Sequence, residues 1–164
     1  MDKKSQKNLS PSALKVQEVL RRMGYNGKVI EFEDSTRTSS EAAERVGCQI
    51  GQIVKSLIFR GQASDKPVLV LTSGANRVDE MLVSRYAGET IGRADAEFVR
   101  GSTGFAIGGV PPVGHLLPLE TYIDEDLLQY DQIWGAAGTP NAVFEMIPTD
   151  LEKMTGGKVI RVKT

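Results

Sequence analysis

Ile53-Val54-Lys55-Ser56-Leu57-Ile58-Phe59-Arg60, a polar turn over residues 61–66, then Pro67-Val68-Leu69-Val70-Leu71-Thr72 is the stretch that decides the fold. Both runs are rich in β-branched and apolar residues and read as strands. The turn between them is too short for a crossover helix, so the pair belongs to a sheet with antiparallel neighbours. Working outward, further strands are predicted over Val29–Glu33, Glu120–Asp124, Gln132–Ala136, Ala142–Ile147 and Lys158–Val162. In the first of these, Ile30 and Phe32 alternate with Glu31 and Glu33, which reads as a strand.

Helix signals fall between the strands. Ser10-Pro11 supplies an N-cap and a first-turn proline for a helix ending at Gly24, with Ala13, Val16, Leu20 and Met23 at helical spacing. Thr38-Ser-Ser-Glu41 reads as a capping box, and Gly47 as the stop of that helix. Asn76 and Asp79 open a helix over Val78–Tyr86, Asp95 caps one ending near Arg100, and Thr149 caps Asp150–Met154. A helical turn follows over Glu125–Tyr130. Strands and helices mixed in this way predict an α+β single domain with a mixed sheet surrounded by helices. Residues 1–9 read as a flexible tail and 10–164 as that single domain.

Composition sets outer bounds. A chain of 164 residues with net charge −1 has no broad basic surface for many phosphate contacts, though it can still grip the end of a nucleic acid. One cysteine, Cys48, excludes an internal disulfide and fits a reducing cytoplasm. With only one histidine as well, a Cys/His zinc site lacks ligands. No apolar run reaches the ~20 residues of a membrane span, and the polar N-terminus does not read as a signal peptide.

Two features carry chemistry. The first is Gly101-Ser-Thr-Gly-Phe-Ala-Ile-Gly-Gly-Val-Pro-Pro-Val-Gly-His115, which holds five glycines, adjacent prolines and the only histidine. Such a loop is either a tight bend at a sheet corner or a cradle of N–H groups for an anion or oxyanion. His115 reads either as polar surface or as a substrate contact. The second feature is Lys55, which shares a strand face with Ile53, Leu57 and Phe59. It either snorkels to water or holds a positive charge beside a substrate oxygen, with its pKa lowered by burial. The P-loop and nucleophile-elbow patterns are absent: Gly156-Gly-Lys158 and Gly101-Ser-Thr-Gly104 do not fit them. Asp124-Glu-Asp126 reads either as a metal cluster or simply as a strand end capping the next helix.

Lys55-Ser-Leu, Ser102 to Gly114, Tyr122-Ile-Asp124 and Trp134-Gly-Ala-Ala-Gly138, in that order, resemble the YbaK/EbsC/ProX family. These are free-standing relatives of the editing domain of bacterial prolyl-tRNA synthetases. The likeness runs from about residue 12 to the end, and its core is a strand lysine followed by T-G-x-x-x-G-G-x-x-P-x-G. It implies a strongly curved mixed sheet and a cytoplasmic trans-editing deacylase. Such an enzyme hydrolyses the ester between a wrong amino acid and the 3′ end of a tRNA, tRNA-Pro being one candidate. No cofactor or metal is implied, and a ribose hydroxyl of the substrate assists the water.

On this resemblance Lys55, Gly108 and Gly109 are the expected catalytic positions. Thr103, Gly104, Pro112, Gly114, His115, Asp124 and Gly138 are the expected substrate-binding positions. The expected partner is the 3′ end of an aminoacyl-tRNA, with a synthetase supplying tRNA selectivity. Ala137-Gly138-Thr139 stands where some relatives carry Ser-Gly-Gly, and Phe144 where they carry a carboxylate. A more apolar wall implies a small amino acid such as alanine. Two other readings stay open: a module that binds nucleotide or aminoacyl-tRNA without turnover, and a hydrolase of another small ester.

Overall fold

The computed structural model describes residues 8–164. In chain order the elements are α1 (Pro11–Arg22), β1 (Val29–Glu31), α2 (Ser39–Val46), β2 (Ile53–Gly61), β3 (Pro67–Ser73), α3 (Glu80–Ala87), β4 (Ile91–Arg93) and α4 (Ala96–Thr103). Then come β5 (Glu120–Asp124), β6 (Ile133–Ala136), β7 (Ala142–Met146), α5 (Pro148–Thr155) and β8 (Lys158–Ile160). The strands form one sheet in the order β1-β7-β6-β2-β3-β5-β8, with β4 also pairing β2. The β2–β3 hairpin at its centre is antiparallel, in unbroken register from Val54 opposite Ser73 to Arg60 opposite Pro67. β2–β6, β3–β5 and β5–β8 are parallel, so the sheet is mixed.

Both faces of the centre are covered, which is why β3 reads as a continuous apolar run rather than an alternating one. Leu69 and Leu71 join the main core with Ala13, Val16 and Leu20 of α1. Val68 and Val70 join a second cluster with Val83 of α3, Tyr122 and Ile160. Each of the buried Val, Leu and Ile side chains among these contributes ~1.5–3 kcal/mol of hydrophobic stabilisation.

Several boundaries depart from expectation for physical reasons. β4 is new: three residues around a glycine carry no periodicity, and the strand exists because Ile91–Arg93 docks on the end of β2. α4 runs through Gly101 to Thr103, and the glycine that terminates it is Gly104, at φ 85°. Helix α3 starts at Glu80, because the Asp79 carboxylate caps the N–H groups of Met81 and Leu82. Helix α5 starts at Pro148, not after Thr149. β1 stops at Glu31, and that glutamate is buried, not solvent-facing. It accepts hydrogen bonds from Ser10 N–H (2.7 Å), Ser10 Oγ (3.1 Å) and Thr139 Oγ1 (2.9 Å). The expected tail over 1–9 falls mostly outside the described residues, but Leu9 packs against the main core. No helix among the described residues is long and apolar enough to cross a membrane.

Candidate functional site

The sheet has a gap beside its most central strand. One edge of β2 is paired with β3 along its length. The other edge meets β6 only at Ile53 and Val54 and β4 only at Phe59–Gly61. The glycine-rich segment lies beside that gap, and between them opens a cleft of about 550 Å³. Lys55 and Ser56 of β2, Ile107 and Gly108 of the loop, and Ser39 of α2 all line it. A second cavity of about 680 Å³ adjoins, sharing Ser56, Leu57 and Gly108 and reaching Arg77 and Arg93.

Lys55 is half-buried, and its ammonium donates to the Asn76 carbonyl at 2.8 Å. Burial holds its pKa below the ordinary lysine value, with Asp124 pulling it upward and Arg77 pressing it down. Asp124 reaches Lys55 only through the turn after β3. The carboxylate is buried and accepts from Ser73 N–H (3.0 Å), Asn76 Nδ2 (2.8 Å) and Asp126 N–H (2.9 Å). It therefore fixes the turn whose carbonyl holds the lysine. No acidic residue lines the cleft, while Arg37 and Lys55 both do. A chain with net charge −1 thus presents a locally cationic pocket.

The loop is held by its glycines. Gly108 sits at φ 90°, and a Cβ there would lie 2.9 Å from Arg37 Cγ. Its N–H has no partner among the described residues. Gly109 packs so closely on the next turn that a Cβ would lie 2.8 Å from Thr139 Cα. Its N–H donates to Ala106 O (3.0 Å) and its carbonyl accepts from Gly138 N–H (2.8 Å). Ala42, Ile53, Ala136 and Val143 contribute apolar surface to the cleft, beside the hydroxyls of Ser39 and Ser56.

Residues 33–154 match the family model of the aminoacyl-tRNA editing domain. That span contains the hairpin, the gap and the whole glycine-rich loop. The chain belongs to the aminoacyl-tRNA editing domain family. A solved structure titled as a trans-editing enzyme for prolyl-tRNA synthetase, an assignment its title qualifies, superposes with a TM-score of 0.90 at 49% identity, over 96% of this chain and 99% of that one. YwhH of Bacillus subtilis is 33% identical over 131 residues, covering 80% of this chain and 83% of its own length. EbsC of Enterococcus faecalis, whose name provisionally assigns it as a Cys-tRNA(Pro)/Cys-tRNA(Cys) deacylase, is 23% identical over 85% of each chain.

In this editing domain the cleft unites Lys55 with Gly108, and the other expected residues stand behind or away from it. Gly109 serves as the contact to the 138–139 turn rather than as a free donor, since Ala106 occupies its N–H. Thr103 is fully buried at the end of α4, its hydroxyl donating to Val99 O at 2.7 Å, and it does not line the cleft. Asp124 does not line the cleft either; its carboxylate accepts from three donors in and around the turn that holds Lys55. Gly104 packs on Leu116, and Gly138 is buried against Ser12.

Pro112, Gly114 and His115 line a different cavity of about 530 Å³, with Val19 and Met23. His115 Nε2 lies 2.6 Å from Pro111 O. A carbonyl only accepts, so Nε2 carries the proton. Burial lowers the histidine pKa, partly opposed by that bond. Phe144 lies in the core, stacked edge-on against Tyr25, and its neighbour Val143 takes the place at the wall. Sequence reading missed Asn76, Ser39, Ala136 and Val143; strand alternation around Phe144 was the one available signal for Val143.

Proposed function

We propose that this editing domain is a trans-acting deacylase that frees a small, mischarged amino acid from the 3′ end of a tRNA, tRNA-Pro being the leading candidate. Family membership makes hydrolysis of aminoacyl-tRNA esters the activity class. The observation that carries the finer reading is a single cleft lined by Lys55 of β2, Gly108 of the loop, Ala136 and Val143, with no acid among its lining residues. An aminoacyl ester is already activated, so positioning and charge stabilisation supply most of the acceleration. Lys55 and Arg37 attract the anionic terminal nucleotide, and the free Gly108 N–H is a donor for charge developing on the ester oxygen. One such donor is worth roughly 3 kcal/mol. The vicinal ribose hydroxyl orients the attacking water, a role that His115, bound to Pro111 in another cavity, does not fill.

Ala136 and Val143, which line the cleft, offer no hydrogen-bond partner to a substrate side chain, and on this reading they contact a methyl-sized one. An apolar pocket separates substrates differing by one methylene by ~1–3 kcal/mol. The test is deacylation of tRNAs charged with Ala, Ser, Cys, Thr and Pro by the folded protein. Alanyl-tRNA is expected to be cleaved fastest. Absence of hydrolysis with all five overturns the proposal.

A further inference from the structure

Two hydrogen bonds fix which residues of β2 face β3: Gly74 N–H to Ile53 O (2.7 Å) and Gly61 N–H to Lys66 O (2.9 Å). With the register unbroken between them, Ile53, Lys55, Leu57 and Phe59 turn their main-chain groups toward β3. Val54, Ser56, Ile58 and Arg60 turn theirs to the opposite edge. Val54 stands opposite Gly135 of β6, and Arg60 opposite Gly92 of β4. Ser56, midway between, meets neither strand. Its N–H and C=O have no partner among the described residues, although β2 is the central strand. Its hydroxyl is buried and unpartnered as well. Main-chain polar groups at such a place normally find a partner. Here they border both cavities, beside Lys55 and across from Gly108.

We infer that the main chain of Ser56 pairs with the aminoacyl group itself: the substrate's α-amino group donates to Ser56 C=O, and its ester carbonyl accepts from Ser56 N–H. The inference rests on the deacylase reading above. An aminoacyl ester carries one donor and one acceptor around a single α-carbon, as one residue of a strand does. Two opposed residues of an antiparallel pair exchange this same couple of bonds. The substrate thus fills the gap in the sheet as a strand one residue long, a minimal case of strand addition. Main-chain pairing is blind to the side chain, so choice among amino acids falls to Ala136 and Val143. What the gap reads is the free α-amino group.

The experiment compares the tRNA cleaved fastest in the panel above with its counterpart lacking the α-amino group, propionyl-tRNA in the case of alanine. Each rate is divided by the uncatalysed rate of the same ester. Losing one hydrogen bond should lower the acceleration by roughly 10-fold. Equal acceleration of both esters, within about 3-fold, overturns the pairing and leaves the deacylase reading standing. No acceleration of any aminoacyl ester overturns both. Independently, 3′-alanylamido-3′-deoxyadenosine, which resists hydrolysis, should shift the Ser56 amide resonance of ¹⁵N-labelled protein and slow its exchange with solvent. Binding that leaves that amide unchanged also overturns the pairing.

Discussion

One loop has two sides, and they treat their titratable residues in opposite ways. Toward β2 the loop helps wall a cleft where Lys55 keeps its charge near solvent, with a single carbonyl partner. Toward α1 it encloses His115, whose Nε2 is bound to the loop's own Pro111. Burial disfavours the charged form of both groups. Asp124 counteracts that for Lys55, and no carboxylate does so for His115. A titratable side chain beside a glycine-rich loop is therefore a candidate for function only where the fold sustains its charge. Here that is the lysine side.

The largest expected effect breaks the lysine side. Lys55→Ala should lower kcat/KM for deacylation by at least ~100-fold, on the scale of losing a transition-state charge contact. The thermal midpoint should change little, since the ammonium has one hydrogen bond; near-normal turnover would remove Lys55 from the site. Asp124→Asn comes next, at about 10-fold in activity and ~1–3 kcal/mol in stability, because three donors lose an ionised acceptor. Its specific signature is in the pH profile. Lys55 acts as the cation, so enzymatic turnover falls as pH rises through its pKa, which lies below the usual 10.5. Removing the Asp124 charge should move that alkaline limb to lower pH. An unmoved limb would mean that Asp124 supports the fold alone.

Gly108→Ala should cost several-fold in kcat/KM and ~1–2 kcal/mol in stability, measured by urea unfolding, because a side chain at φ 90° is strained. The smallest effect belongs to the histidine side: His115→Gln should retain turnover within about 2-fold, as a residue outside the cleft should. Its consequence is for stability at acid pH. A histidine pKa depressed by folding means that the unfolded chain binds more protons below pH 6.5, so stability falls as pH drops through that window. The variant should lack this fall, as read from urea midpoints at pH 5 and pH 7.5. A drop in turnover as large as that of Lys55→Ala would reverse the assignment of the two sides.

The parts of this molecule written in local chemistry were legible in the sequence. Thr38 and Gly47 bound α2, Asp95 opens α4, and the β2–β3 hairpin follows from two apolar runs and a short turn. Lys55 and Gly108, 53 positions apart, do share a cleft. What escaped depends on distant partners. Glu31 alternates like a solvent-facing residue yet is buried, because Ser10 and Thr139 arrive from remote parts of the chain. Gly109 looks like a free donor until the position of Ala106 is known. Asn76 reads in sequence only as a helix-start signal, whereas in the fold its carbonyl points at Lys55 and its side chain is tied to Asp124.

Glu31 also has a bearing on the order of events during synthesis. Ser10 and Glu31 leave the ribosome before Thr139 and the β7 partner of β1, which follow more than 100 residues later. Until then the carboxylate lacks its third donor and must stay hydrated, so β1 cannot settle. The turn at 138–139 is also what Gly109 packs against. A chain truncated after the glycine-rich loop, with Lys55 present but the 138–139 turn missing, is accordingly expected to lack deacylase activity, because Gly109 has lost the turn it packs against. A protein that removes amino acids from charged tRNA thus depends, for the shape of its pocket, on a turn and a strand far along the chain from the lysine it uses.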